Sequence, residues 1–191
     1  MAHYEMDGEY IRTPNFVRGT SLNFEPMAAL TEDDDYKNCF DILYVMSAEL
    51  AGQYLQIVWL DTICYNMDRH TENFGFLRDT ESGKIVSMAP NYDNNIALIS
   101  RGYPNSASRK NDGFIRFFKD FLQESRTAAE MYRTMNLPVI TEEMIGACMD
   151  EIPFQVNGEF IRAFILNGQR IVSDIIASEN LSETEDPTLS M

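Results

Sequence analysis

The sequence predicts a mainly α-helical domain carrying one small β-hairpin. Three observations lead there. Apolar residues recur at helical spacing through most of residues 36–178. Two short β-prone runs, Phe74 to Leu77 and Ile85 to Met88, flank an Asp79-Thr80-Glu81-Ser82-Gly83 turn. The composition is that of one ordinary globular domain, with 191 residues of which 45% are hydrophobic and 24% charged.

Taken in order, residues 1–35 read as an irregular, hinge-like segment. Thr13-Pro14-Asn15, Gly19 and Glu25-Pro26 punctuate it, and Glu32-Asp33-Asp34-Asp35 closes it as a solvated loop or a helix start. Phe40, Leu43, Tyr44, Met46 and Leu50 then share one helix face, with a break expected at Gly52. Tyr54 to Tyr65 is apolar on most sides and reads as a buried helix, in which Cys64 is inert core. After the polar stretch Asn66 to Asn73 comes the hairpin, and Pro90 ends it before a second polar loop, Asn91 to Asn95.

The remainder reads as helices over 113–124, 127–135, a segment capped by Thr141, and a long one capped by Asn157. The stripe Phe114, Ile115, Phe117, Phe118, Phe121 and Leu122 is expected to be core. The acidic tail, 179–191, is expected to be disordered.

Charge and composition exclude several functions. Thirty acidic against fifteen basic residues give a formal net charge of −15, a field that repels nucleic acid and anionic membranes. No apolar run is long enough to span a bilayer, and the N-terminus lacks the pattern of a secretory leader. Three cysteines with no Cys-x-x-Cys point to a reducing, cytoplasmic setting. Two histidines, His3 and His70, leave no His-Glu-x-x-His zinc motif.

The chemistry is concentrated around the hairpin. A hairpin returns the chain to its start, so Asp68 and Asn73 before it should approach Asp93 after it. Two carboxylates and an amide oxygen are ligands suited to Mg²⁺. Asp68 to Asn73 also has the Asp-x-x-x-x-Asn spacing of protein-kinase catalytic loops, in which the Asp accepts the proton of the attacking hydroxyl and the Asn holds a metal.

Asn66-Met67-Asp68-Arg69-His70-Thr71-Glu72-Asn73-Phe74-Gly75-Phe76-Leu77, followed by Met88-Ala89-Pro90-Asn91-Tyr92-Asp93, resembles the catalytic segment of HipA-type serine/threonine kinases. These kinases have a mostly helical C-terminal lobe related to the phosphoinositide 3/4-kinase-like branch. The Ala-Pro-x-Tyr-Asp segment, in place of Asp-Phe-Gly, favours the HipA type over the lipid kinases. The resemblance is strong over about residues 55–100.

It implies a kinase C-lobe over residues 36–178, using ATP and Mg²⁺ to phosphorylate a protein serine or threonine hydroxyl. It makes Asp68 the catalytic base and His70 the brace of the catalytic loop. Asn73 and Asp93 become the Mg²⁺ ligands and so the cofactor-binding residues. It also implies the toxin of a bacterial toxin–antitoxin pair. Arg69 reads equally as a carboxylate partner and as a phosphate contact.

The residues before the catalytic loop depart from the family. They contain no Gly-rich phosphate loop, and none of Lys37, Lys84, Lys110 and Lys119 sits in a Val-Ala-Ile-Lys setting ahead of it. The sequence thus predicts a C-lobe without its N-lobe, binding ATP weakly by itself. Three explanations stand open: a piece of a longer kinase, a chain completed by a separate N-lobe or antitoxin-like protein, or a non-catalytic, pseudokinase-like interaction module.

Overall fold

The computed structural model describes residues 5–7, 10–94, 97, 111–152 and 155–182. Among them are strands β1 (Glu5–Asp7), β2 (Tyr10–Arg12), β3 (Leu22–Pro26), β4 (Gly75–Asp79) and β5 (Ile85–Met88). The helices are α1 (Tyr36–Met46), α2 (Ala48–Cys64), α3 (Asp112–Glu124), α4 (Arg126–Thr134), α5 (Glu142–Asp150) and α6 (Gly158–Ser182). The architecture is mainly α with a small antiparallel sheet, as the periodicity predicts. Two compact units divide it, residues 1–61 with 66–97, and residues 62–65 with 98–191.

In the first unit, β1 and β2 pair as a two-stranded antiparallel ribbon. The expected hairpin forms from β4 and β5, and a third strand joins it. β3 pairs antiparallel along β4 from Leu22 opposite Asp79 to Pro26 opposite Gly75, so β4 is central. This corrects the reading of residues 1–35 as irregular. Leu-Asn-Phe-Glu-Pro alternates over too short a span to stand out among prolines and turn residues, and its pairing partner lies some fifty residues away. Pro26 is tolerated because it sits at the end of an edge strand.

The helices start where short polar side chains take the free N–H groups. The Asp35 carboxylate accepts the Asn38 N–H at 2.9 Å and opens α1. The break between α1 and α2 falls at Ser47, not at Gly52. Ser47 is extended and its Oγ accepts the Glu49 N–H at 3.1 Å, so it ends one helix and caps the next. Gly52 lies inside α2, where one glycine costs about 1 kcal/mol. Complete burial of Leu55 and Val58 on the following turns outweighs that. The core of this unit gathers Met27, Phe40, Leu43, Tyr54 and Phe76, with Tyr54 stacked on Phe74 at 5.0 Å.

In the second unit, Phe118, Phe121 and Leu122 of α3 are buried, as are Ala128, Ala129 and Tyr132 of α4. Phe118 meets Tyr132 edge-on at 5.2 Å. Ile145 of α5 and Ile161 and Phe164 of α6 form a second cluster. Thr141 and Asn157 cap α5 and α6 as expected, accepting N–H groups at 3.2 and 3.1 Å. Ser125 adds a cap for α4.

The aromatic stripe of α3 is not core throughout. Phe117 is half exposed, because a helix turns it away from the face that carries Phe118 and Phe121. The acidic end is helical through Ser182, and 183–191, like Asn95, lie outside the described residues. Among the described residues no helix is long and apolar enough to cross a membrane. Cys39 is buried, Cys64 half-buried rather than core, and Cys148 exposed, all as free thiols. Burial pushes the Cys39 thiol up to about 12, opposed by its hydrogen bond with Tyr54 and aided by the charges of Asp34, Asp33 and Asp35.

One glycine is required by close approach. At Gly75 a Cβ would run into the Glu25 carbonyl oxygen and lie 2.7 Å from the Pro26 Cα, both of which are backbone. We expect Gly75→Ala to separate β3 from β4 and to lower unfolding free energy by about 2 kcal/mol or more in urea titrations.

Candidate functional site

The first loop of the candidate site leaves α2 and turns on itself through its own polar groups. The Asn66 N–H bonds the Asp61 carbonyl at 2.9 Å, and the His70 N–H bonds the Asp68 carbonyl at 3.1 Å. The Asn73 N–H bonds the His70 carbonyl at 2.8 Å, and the Asn73 side-chain Nδ2 donates to the Asp68 carbonyl at 2.7 Å. His70 Nδ1 accepts the Glu72 N–H at 3.3 Å, a local bond within the loop.

Two groups from the preceding segment hold the loop from outside. Asp34 Oδ1 accepts the Thr71 N–H at 2.7 Å, and the Ala28 N–H donates to the Thr71 carbonyl at 3.1 Å. The acidic run 32–35 is therefore not only a solvated charge run. One member closes the loop that carries Asp68, and another caps α1.

The second loop, Pro90 to Asn94, is tied to the first by Arg69. The arginine is buried, and so is its ion-pair partner Asp61. Arg69 Nε donates to Asp61 Oδ2 at 2.7 Å and Nη2 to Asp61 Oδ1 at 3.0 Å, a two-pronged pairing. Nη1 bonds the carbonyls of Asn73, at 2.5 Å, and Tyr92, at 2.9 Å. Nη2 also reaches Asn91 Oδ1 at 2.7 Å and Asn94 Oδ1 at 2.8 Å. Asn66 Nδ2 closes the network, donating to Asp61 Oδ1 at 3.0 Å and Asn94 Oδ1 at 3.2 Å. Tyr92 adds a strut through its hydroxyl, which donates to the Glu72 carbonyl at 2.7 Å.

The electrostatics follow from burial. Desolvation pushes the Asp61 carboxyl up, and the bonds from Arg69 and Asn66 pull against it. Desolvation would lower the Arg69 guanidinium, but the bonds and charge of Asp61 turn its shift upward. The Tyr92 hydroxyl is pushed up to about 12, mainly by burial.

The residues singled out from sequence fall as follows. Asp68, His70 and Asp93 are half-buried, and Asn73 is 7% exposed. The backbones of the two loops meet at one guanidinium nitrogen, with the carbonyls of Asn73 and Tyr92 each within 3 Å of it. Asp93 has φ 54°, the left-handed region that a non-glycine residue seldom adopts. Among the described residues the carboxylates of Asp68 and Asp93 and the Oδ1 of Asn73 accept no hydrogen bond.

Carboxylate and amide oxygens are hard donors, a donor chemistry that suits Mg²⁺, which is typically held by one or two carboxylates and completed by water and phosphate. No group of three or more His, Cys, Asp or Glu side chains able to hold a metal occurs among the described residues.

Arg69, left open between two roles, is a carboxylate partner with all its donors engaged by the protein. Sequence reasoning missed Asp61, Asp34 and the bonding role of Asn91 and Asn94. Asp61 had a signal, being a lone acid in the apolar run Tyr54 to Cys64. We expect Asp61→Ala, which strands a buried guanidinium, to cost about 3–5 kcal/mol of unfolding free energy by chemical denaturation.

No family model and no curated protein matches the chain. Among solved structures, the chain is similar to the proinflammatory kinase CtkA of Helicobacter pylori. Identity is 15%, the match covers 91% of this chain and 76% of that one, and the TM-score is 0.57. At that identity the likeness speaks for architecture alone, and the architecture is kinase-like.

Proposed function

We propose that the chain is the catalytic lobe of a HipA-like serine/threonine protein kinase, transferring a phosphoryl group from ATP to a protein hydroxyl. The observation that carries this reading is the pairing of the two loops through Arg69. It brings the backbone of the Asp68–Asn73 loop against that of the Asp93 loop, while among the described residues no hydrogen bond reaches the side-chain oxygens of Asp68, Asn73 or Asp93.

In this reading Asp68 accepts the proton of the attacking serine or threonine hydroxyl. Among the described residues its carboxylate accepts no hydrogen bond, and its carbonyl accepts the Asn73 amide N–H. Asn73 turns its amide nitrogen to the Asp68 carbonyl, and its Oδ1 would be the atom offered to a metal ion. Asn73 and Asp93 would hold Mg²⁺, which when bound neutralises charge on the nucleotide phosphates. His70 braces the loop from within by accepting the Glu72 N–H. Toxin–antitoxin membership and a cytoplasmic setting belong to the same proposal.

Because residues 1–60 carry no Gly-rich loop or kinase-type lysine, these 191 residues should bind Mg²⁺–ATP weakly. A second reading, a non-catalytic interaction module, draws on the exposed end of α1, where Val45 is 86% exposed between Tyr44 and Met46.

Radiolabelled ATP with Mg²⁺ and a generic protein substrate tests the kinase reading. Asp68→Ala should lower turnover by about 10²–10⁴-fold without moving the thermal midpoint. Asp93→Ala should remove metal-dependent nucleotide binding in calorimetry. Wild-type turnover in both variants would sink the assignment, and nucleotide-independent partner binding by an inert wild-type chain would favour the module.

A further inference from the structure

We propose that Arg69 is the positioning residue for Asp93, and that Asp61 is the anchor that aims it. The inference rests on the kinase reading of Asp93 as a metal ligand.

Among the described residues no hydrogen bond to the Asp93 carboxylate occurs, and the bonds that hold its segment are made to its neighbours. Its backbone is at φ 54°, a conformation that is strained outside glycine and persists only where the surroundings over-determine it. Among the described residues Arg69 makes the most hydrogen bonds to that segment, beside the Tyr92 hydroxyl on the Glu72 carbonyl and Asn66 on Asn94. Arg69 bonds Asn91 Oδ1 and the Tyr92 carbonyl on one side of Asp93, and Asn94 Oδ1 on the other.

The same guanidinium fixes the partner ligand. Nη1 holds the Asn73 carbonyl together with that of Tyr92, so the two metal-ligating residues are both referenced to one rigid plane. That plane is not free to rotate, because Asp61 takes Nε and Nη2 side by side. Asn66 locks the far edge by donating to both Asp61 and Asn94.

A lysine would keep the charge against Asp61, but its compact ammonium cannot reach acceptors spread around a flat fork. The test is therefore Arg69→Lys, which preserves the ion pair while losing the geometry. Outer groups that orient metal ligands typically affect affinity by 10–100-fold.

The experiment titrates Mn²⁺ alone into the full chain and follows free Mn²⁺ by electron paramagnetic resonance. It compares wild type, Arg69→Lys, Asp61→Asn and Asp93→Ala, each checked for folding by thermal melting. We expect Asp93→Ala to abolish the site, and Arg69→Lys to melt cooperatively yet bind Mn²⁺ about tenfold more weakly or worse. Folded Arg69→Lys with wild-type Mn²⁺ affinity would overturn the positioning role and leave the kinase reading standing. Wild-type affinity in Asp93→Ala, or no saturable binding by the wild-type chain, would overturn both. Should Arg69→Lys fail to fold, Asp61→Asn decides, since it keeps the anchor's shape and removes its charge. Weakened binding supports the role, and unchanged binding refutes it.

Discussion

A guanidinium and a carboxylate taken out of water together must replace their hydration with protein groups, and in this chain that demand organises everything around it. Arg69 and Asp61 are both buried, with side chains 1% and 2% exposed. Such a pair adds little net stability, because the desolvation of two ions offsets most of their attraction. What it adds is direction. Each N–H of Arg69 needs an acceptor, and the available acceptors are the backbone and amide oxygens of two loops that are otherwise irregular. Satisfying one buried charge thereby fixes the relative placement of Asn73 and the segment around Asp93.

The supports outside the pair follow the same logic. Thr71 has its N–H taken by Asp34 and its carbonyl by Ala28, so the first loop is held on both sides. Met27, completely buried, donates its N–H to the Phe74 carbonyl just after β3 ends. The strand β3 thus has a role beyond the sheet, because it delivers residues 27 to 34 to the loop they brace. The aromatic rings of Phe16, Phe24 and Tyr92 meet at centroid distances of 5.4 to 6.1 Å and tie the second loop to β3. Loops are commonly positioned by the scaffold beneath them, and these side chains are the points at which these two loops attach.

Much of the fold was legible because its signals are local. Helical period marked α3 to α6, and Thr141 and Asn157 announced their caps. The hairpin β4–β5 was visible from its turn. Where reading failed, the deciding interaction was distant or depended on competition. β3 needed β4 some fifty residues on, the Gly52 break yielded to burial in α2, and Phe117 lost its place in the core by its angle on the helix. Within the site, the spacing of Asp68, Asn73 and Asp93 was readable, and so was the ambiguity of Arg69. Asp61 was not read at all, since a single acid in an apolar helix acquires meaning only when its partner is known.

The sequence by itself determined the helical class, the hairpin, the acidic charge and the order of oxygen-bearing residues around that hairpin, because each is encoded within a few neighbouring positions. Tertiary structure alone decided what Arg69 holds, which acid braces Thr71, and how Asp93 comes to occupy a left-handed backbone conformation. Those outcomes depend on which polar groups are left facing one another once water is removed, and no spacing along a chain records that.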